Sequence, residues 1–334
     1  MMTLPGVVVA LVALIPVGLL TSAANPPLPL VLRLERAPHL KGADLTQHAT
    51  RGMLGSAEYA TGFVQFPILQ SVDHMGSPFL TRLWLGSPEK VFSVLVDTGS
   101  STLWVSCTPC IGCPSPNQTR KSYDPQNSWS PSVVTGAEGW CRDNQNSHCG
   151  YQIVYGGGAT TSGYYVSGLI HLDATSGHND GLSTPIIFGD LQSGVLTDAN
   201  IGFDGILGLG PGEESMTTQL NSIGLAPNVF SICLNSAESG DGILVLGEAV
   251  EPGIVYTPLI PSKSYYSVNL ESIAIDGEKL PIDSSVFTSH GRITIVDSGT
   301  SLAYLVDEAY DPFVNAVLFL YIKEYKVRIQ QMLH

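Results

Sequence analysis

Two aspartates that stand in nearly the same local sequence are the residues of this chain best suited to chemistry. Asp97 lies in VLVDTGSSTLWV (94–105), and Asp297 lies 200 residues later in ITIVDSGTSLAYL (293–305). Each follows an apolar run and precedes a hydroxyl residue, a glycine and a second hydroxyl residue. One such aspartate could simply cap a turn at the end of a strand. Two copies indicate a duplicated unit, in which approximate symmetry can bring equivalent residues together.

Each aspartate is predicted to end a strand. The run Val94–Val96 is apolar without polar alternation, which is typical of a strand buried on both faces, and a turn should follow Asp97 directly. A carboxylate in such a position is costly unless hydrogen-bond donors surround it. The backbone N–H groups and hydroxyls that follow can donate, and they belong to Thr98, Gly99 and Ser100 in the first copy and to Ser298, Gly299 and Thr300 in the second.

Two carboxylates that meet at a junction cannot easily both ionise, so they are expected to share one proton. The ionised member can then deprotonate a water, while the protonated member donates a hydrogen bond to a carbonyl that is becoming tetrahedral. This is the chemistry of amide hydrolysis by water. The sequence therefore predicts a catalytic pair, Asp97 and Asp297, that needs no metal and no organic cofactor.

The duplicated motif resembles that of the pepsin-like aspartic endopeptidases, peptidase family A1. The resemblance covers approximately residues 75 to 310, and it implies an all-β, bilobal fold and cleavage of peptides or proteins. The segment FDGILGLG (203–210) is similar to the hydrophobic-hydrophobic-Gly segment that runs beside the first Asp loop in this family.

A glycine-rich stretch, YGGGATTSGYY (155–165), resembles the flap that closes over substrate in the same family. The resemblance implies that Tyr155, Gly156 and Gly157 contact substrate and that Trp104 hydrogen-bonds the flap tyrosine. Glycines permit the hinging that a lid needs. Taken without the Asp motifs, the stretch would be interpreted as a hairpin tip that binds no ligand.

Composition excludes some functions and is consistent with the proposed fold. The chain has 334 residues with 35 Gly, 22 Pro and only 13% charged residues, a balance typical of many short strands joined by turns. Its formal net charge of −14 makes a nucleic acid an unfavourable partner. We expect a monomer whose partner is a peptide or protein substrate.

The amino-terminal residues suggest a route through the secretory pathway. Residues 1–24 contain an apolar run followed by small residues, which predicts a cleaved signal peptide, with an uncleaved membrane anchor as the alternative. Residues 25–62 carry basic side chains and resemble a propeptide. An amino-terminal lobe over 63–235, starting with a strand near Phe63, and a partial carboxy-terminal lobe over 236–334 are expected to follow. The destination would be extracellular, vacuolar or the cell surface.

Six cysteines fit that route. Cys107, Cys110 and Cys113 form a C-x-x-C-x-x-C run in which zinc is the alternative to disulfides. Their spacing, followed by YDP at Tyr123, resembles the plant-type, nepenthesin-like branch of the family. That resemblance implies bridges Cys107–Cys110 and Cys141–Cys149. It leaves Cys113 without a partner, since the branch has FGC where this chain has FGD (188–190), and it leaves Cys233 without one because the given sequence has no cysteine after it. Asn117 in NQT is a predicted glycosylation site.

The second lobe is predicted to be incomplete. Only 37 residues follow Asp297, and the tail FVNAVLFLYIKEYKVRIQQMLH (313–334) has helical spacing. We expect apolar surface near Ile293, Ile295 and Leu302 to lack a cover. The alternative to an active secreted endopeptidase is therefore a catalytically incompetent pepsin-fold protein, either a binding or decoy module or a non-functional isoform.

Overall fold

The structure is a computed structural model. It describes residues 11–12, 30–36, 79–111, 121–125, 132–134, 148–156, 158–172, 182–195, 203–234, 242–247, 255–261, 264–275, 277–300 and 303–332. The chain divides into two compact units, the first comprising Met1–Tyr256 with Asp297–Ser301 and the second comprising Thr257–Val296 with Leu302–His334. Asp297 and the loop that follows it thus belong to the first unit, whereas the residues on either side of this loop belong to the second.

The first unit is built on a large, mostly antiparallel sheet. Its strands pair in the order β1-β11-β12-β2-β3-β4-β10-β5-β9-β8-β6, β7 pairs with β8, and a β3–β8 pairing closes six strands into a ring. The strands are β1 Leu11–Val12, β2 Leu30–Arg36, β3 Phe79–Leu85, β4 Lys90–Asp97, β5 Leu103–Ile111, β6 Ser132–Val133, β7 Gly150–Val154, β8 Thr160–Leu172, β9 Leu182–Val195, β10 Gly205–Gly208, β11 Phe230–Leu234 and β12 Gly242–Leu246. Helix α1, Met216–Ser222, follows β10.

The apolar run before Asp97 forms the buried strand that the sequence predicts. β4 ends at Asp97, and the side chains of Val94 and Val96 are 0% and 1% exposed. β10 lies between β4, to which it is parallel, and β5, to which it is antiparallel. Gly205 permits this close approach, because a Cβ there would collide with the Trp104 carbonyl oxygen. The all-β prediction is confirmed.

The second unit has shorter strands and a long helix. Its strands are β13 Ser267–Val268, paired with β16 Thr294–Ile295, and β14 Ala274–Ile275, paired with β15 Glu278–Lys279. Two 3-10 turns, Ser284–Phe287 and Ser289–Gly291, precede β16. Helix α2, Asp307–Met332, confirms the helix predicted for the tail, and its Ala309 packs on Leu280, Ile282 and Phe287.

Several predictions for the amino terminus fall largely outside the described residues. Of the predicted signal peptide only β1 is described, and of the propeptide-like segment only β2, which pairs with β12 and β3. The strand expected near Phe63 lies outside the described part, as do Asn117, Cys113 and Cys141. Among the helices that the structure describes, none has the length and apolar character to cross a membrane.

Candidate active site

The first Asp loop surrounds its carboxylate with local donors. Asp97 is 5% exposed and ends β4. Its Oδ1 accepts a hydrogen bond from the Gly99 backbone N–H at 2.8 Å, and its Oδ2 accepts one from the Ser100 hydroxyl at 2.5 Å. β10 runs alongside, with Gly208 in register with Asp97, as the hydrophobic-hydrophobic-Gly motif implies. The carboxylate is therefore buried, and both of its oxygens are paired.

The second Asp loop repeats the same hydrogen bonds. The Gly299 N–H donates to Oδ1 of Asp297 at 2.8 Å, and the Thr300 hydroxyl donates to Oδ2 at 2.6 Å. The burial that precedes this loop does not repeat. β16 has two residues and Ile295 is 40% exposed, in agreement with the expectation that apolar surface near Ile295 lacks a cover. The prediction of a strand buried on both faces concerned Val94–Val96, and it is confirmed.

The two loops hold each other through reciprocal hydrogen bonds. The Thr98 N–H donates to the Ser298 hydroxyl oxygen at 3.1 Å, and the Ser298 N–H donates to the Thr98 hydroxyl oxygen at 2.9 Å. The Ser298 hydroxyl in turn donates to the Val96 carbonyl at 2.8 Å. These bonds fix the separation of the two loops independently of either carboxylate.

The glycines of the two motifs let the carboxylates approach. A Cβ built at Gly99 would lie 2.6 Å from Oδ2 of Asp297, and one built at Gly299 would collide with Oδ1 of Asp97. Burial raises the pKa of Asp97 from 3.8 to about 6, and the neighbouring Asp297 carboxylate raises it further against the lowering effect of the Ser100 hydrogen bond. Asp97 is thus protonated more readily in mild acid than an ordinary aspartate.

The predicted flap is a hairpin of β7 and β8. At its turn the Tyr155 N–H donates to the Ala159 carbonyl at 2.9 Å, and Gly158 has φ +83°, a conformation that favours glycine. The Trp104 indole N–H donates to the Tyr155 hydroxyl at 2.7 Å, so the hydrogen bond implied by the resemblance is present. Gly156 is exposed, and Gly157 lies outside the described residues.

Asp204 is a supporting residue that the sequence reasoning did not single out. Its carboxylate is 5% exposed and accepts hydrogen bonds from the backbone N–H groups of Ser93 and Lys121, both at 2.9 Å. It thereby ties the start of β10 to β4, the strand that ends at Asp97. Its position directly before the apolar run Gly-Ile-Leu-Gly is the feature of the sequence that could have identified it.

The predicted Cys107–Cys110 bridge is wrong. Cys107 is a buried free thiol, 3% exposed, whereas Cys110 and Cys149 are disulfide-bonded. Burial raises the pKa of the Cys107 thiol, and the nearby Asp190 carboxylate raises it further. The spacing of Cys107 and Cys110 suggested a local disulfide. Instead, β5 runs through both residues as an extended strand, and Cys107 is buried beside β9. The Cys141–Cys149 pairing stays a prediction.

Comparisons with known proteins agree with this geometry. The family model described as Xylanase inhibitor N-terminal matches residues 79–248, and the one described as Xylanase inhibitor C-terminal matches residues 265–331. Aspartic proteinase 39 of Arabidopsis thaliana is 33% identical over 84% of this chain and 60% of its own length. Aspartic proteinase nepenthesin-2 of Nepenthes gracilis is 33% identical over 71% of this chain and 55% of its own length.

Paired Asp-hydroxyl-Gly loops, a hairpin over the first of them and a predominantly β architecture define a pepsin-like protein. The chain belongs to the pepsin-like A1 family, in its plant-type, nepenthesin-like branch. It spans between half and three fifths of the length of the relatives named above.

Proposed function

We propose that this chain is an aspartic endopeptidase that hydrolyses peptide bonds with a water activated between Asp97 and Asp297. The observation that carries the proposal is the approach of two carboxylates to each other's glycine, each carboxylate already bonded to an N–H and a hydroxyl of its own loop. Donors that are already in place need not reorganise as charge develops during the reaction.

Asp97 and Asp297 take different roles in this mechanism. Because burial keeps a proton on Asp97 in mild acid, Asp97 donates it to the carbonyl oxygen of the scissile bond. Asp297 accepts a proton from the attacking water, whose oxygen bonds to the carbonyl carbon. Proton transfer to the amide nitrogen then lets the carbon–nitrogen bond break, and the products are a carboxylic acid and an amine with one proton left on the pair.

The flap supplies the cover of the substrate site in this proposal. Tyr155 is half-buried, and its hydroxyl already accepts the Trp104 N–H. Burial raises the pKa of Tyr155 to about 12, so the side chain is neutral under all conditions in which the aspartates work. A neutral hydroxyl at the tip of a hairpin can contact a substrate backbone without competing for the proton of the pair.

Secretion, glycosylation at Asn117 and disulfide bonding belong to the same proposal. Disulfide-bonded cysteines at positions 110 and 149 favour an oxidising compartment, which agrees with a signal peptide over residues 1–24. We propose a secreted or vacuolar monomer that acts on peptides or proteins without a cofactor.

The test is hydrolysis of a long peptide at acid pH by purified protein. Asp97→Asn and Asp297→Asn should each lower kcat by about 1,000-fold or more while the far-UV circular dichroism stays that of the wild type, because each change removes the shared proton chemistry but keeps the shape. Glu271→Gln, an exposed carboxylate in the second unit, removes the same charge and should leave the rate unchanged. Equal rates in Asp97→Asn and Glu271→Gln would refute the assignment.

A binding function without catalysis is the second candidate. The observations that favour it are the match to family models described as those of xylanase inhibitors and the partial exposure around Asp297. Such a protein would bind its target equally well as the Asp97→Asn variant. Inhibition of a plant-cell-wall xylanase that survives this substitution, with no peptide hydrolysis by the wild type, would select the second candidate.

A further inference from the structure

A glycine on β9 leaves room for an aromatic ring at the base of the flap. Gly189 is in register with Trp104 on β5 and with Tyr165 on β8, so these three residues form one row across the sheet. A Cβ built at Gly189 would lie 2.6 Å from Cε1 of Tyr151 and 3.0 Å from Cβ of Trp104. The ring of Tyr151 therefore occupies the space that a side chain at Gly189 would need.

Packing, rather than a hydrogen bond, holds the ring of Tyr151. The side chain is 8% exposed, its ring centroid lies 5.3 Å from that of Tyr165, and it belongs to the same apolar cluster as Trp104. Its hydroxyl is buried and forms no hydrogen bond in the part of the chain that the structure describes. Burial also raises the pKa of Tyr151, so the phenol stays neutral. The aromatic ring is thus the part of Tyr151 that makes the contact.

Tyr151 lies on the first strand of the flap, four positions before Tyr155. β7 pairs with β8 from Gly150 to Val154, and Val154, next to the tip, is 70% exposed. Near the tip, Ile153 and Tyr155 are the flap residues that pack inward, against the same apolar cluster that contains Tyr151 and Trp104. A shift of β7 at its buried end would move the Tyr155 hydroxyl away from the indole N–H, which is 2.7 Å from it.

We propose that Tyr151 is a positioning residue for the flap: its ring, seated over Gly189 between Trp104 and Tyr165, fixes where Tyr155 meets Trp104. Gly189 is also required for this arrangement, because the ring of Tyr151 fits only where position 189 has no side chain. The effect on peptide hydrolysis rests on the proposed function, whereas the effect on flap order does not.

Hydrogen exchange of the flap amides tests the proposal without using catalysis. The amides of Tyr155 and Gly158 are bonded within the turn, so their exchange reports how often the flap opens. Tyr151→Leu should raise exchange across residues 150–165 by tenfold or more, and Gly189→Ala should do the same by displacing the ring. Tyr151→Phe keeps the ring and should exchange as the wild type does.

Phe230→Leu serves as the matched packing control. Phe230 is 2% exposed on β11, away from the flap, so its truncation should lower the melting temperature and leave flap exchange unchanged. Unchanged flap exchange in Tyr151→Leu, or equal exchange in Tyr151→Phe and Tyr151→Leu, would overturn the proposal. If Tyr151→Leu does not fold, Gly189→Ala and Tyr151→Phe decide it by the same criteria.

Peptide hydrolysis provides the second measurement. Tyr151→Leu should lower kcat/KM for a long peptide by about tenfold, mainly through KM, and Tyr151→Phe should restore it. A wild type that hydrolyses no peptide would refute the proposed function alone, since the exchange measurement would still decide the role of Tyr151. A rate loss in Tyr151→Phe equal to that in Tyr151→Leu would instead assign the effect to the hydroxyl and overturn the positioning role.

Discussion

The two Asp loops have the same internal hydrogen bonds but stand after very different strands. Asp97 ends the eight-residue β4, which is flanked by β3 and β10, whereas Asp297 follows the two-residue β16. Leu95, two residues before Asp97, is 8% exposed, while its counterpart Ile295, two residues before Asp297, is 40% exposed. The local sequence is therefore sufficient to form the loop and its donors, and the burial of each carboxylate depends on the strands around it.

This difference gives the pair its asymmetry. The hydrogen bonds that Asp97 accepts from Ser100 and Gly99 lower its pKa, but burial raises its pKa and outweighs these bonds. The same motif can thus place two carboxyl groups in different environments when one copy is more deeply enclosed. The predictions below alter one copy at a time, beginning with the changes of largest expected effect.

Adding a methyl group to the glycine of either loop should abolish activity. Gly99→Ala and Gly299→Ala each place a Cβ against the opposite carboxylate, so both should lower kcat/KM by about 100-fold or more. Stability should separate them. Gly299→Ala presses on buried Asp97 and should lower the melting temperature more than Gly99→Ala, which presses on the more accessible Asp297. Equal losses of stability in thermal unfolding would argue against the asymmetry.

The pH dependence of stability should report the proton on Asp97. Its pKa in the folded protein, about 6, lies above its ordinary value of 3.8, so folding favours the protonated form. The associated stabilisation is complete below about pH 4 and is lost as the pH rises through 6. Compared with Asp97→Asn, which cannot titrate there, the wild type should lose on the order of 3 kcal/mol of unfolding free energy across that window.

Denaturant unfolding of both proteins at pH 4 and pH 7 measures this difference. The comparison variant Asp297→Asn should keep part of the pH dependence, because burial, the main cause of the shift at Asp97, is unchanged by it. A difference between wild type and Asp97→Asn that does not vary with pH would contradict a proton held on Asp97.

Replacing an apolar residue before each aspartate by alanine should change the free energy of unfolding by different amounts in the two copies. Val94 is fully buried in β4, so Val94→Ala should cost about 2 kcal/mol of unfolding free energy through lost transfer energy and a residual cavity. Ile295 is 40% exposed, and Ile295→Ala should cost less than about 1 kcal/mol although it removes more atoms. Urea unfolding curves compare the two, and a larger cost at Ile295 would reverse the conclusion about which copy is enclosed.

Much of the first copy could be predicted from sequence because its determinants are local. The apolar run before Asp97 indicated a buried strand, and the hydroxyls and glycine after it indicated the donors that the structure contains. The glycine-rich stretch also predicted the hairpin at Tyr155, and the helical spacing of the tail predicted α2.

The features that could not be predicted depend on neighbours distant in sequence. The run Ile293–Val296 contains Thr294 where the first copy is wholly apolar, and the run alone does not reveal how many strands cover it. The burial of Cys107 depends on the pairing of β5 with β9, and the pKa of its thiol is raised in part by Asp190, 83 positions later. Likewise the role of Gly189 depends on a ring from another strand.

The reciprocal bonds between the loops should contribute unequally as well. Ser298→Ala removes the acceptor of the Thr98 N–H and the donor to the Val96 carbonyl, so it should cost about 2 kcal/mol. Thr98→Val keeps the side-chain volume and removes the acceptor of the Ser298 N–H, with a cost of about 1 kcal/mol. Thermal unfolding of both variants and of the double variant measures their coupling, and equal single costs would mean that the extra bond to Val96 adds nothing.

The last comparison concerns the residues ten positions after each aspartate, Cys107 and Asp307. The expected effect is the smallest, since Cys107 should not react with a thiol reagent in the native protein. Asp307 is exposed at the start of α2, whereas Cys107 is buried beside Asp190, and burial raises the pKa of its thiol. Because thiolate and access are both needed for reaction, a thiol reagent should not modify Cys107 in the native protein and should modify it fully in denaturant without reductant. Peptide mapping locates the label, and Cys107→Ser provides the blank. Protection that persists in denaturant would mean that Cys107 is disulfide-bonded. Rapid labelling of the native protein would mean that β5 is as exposed to solvent at Cys107 as the strand before Asp297 is.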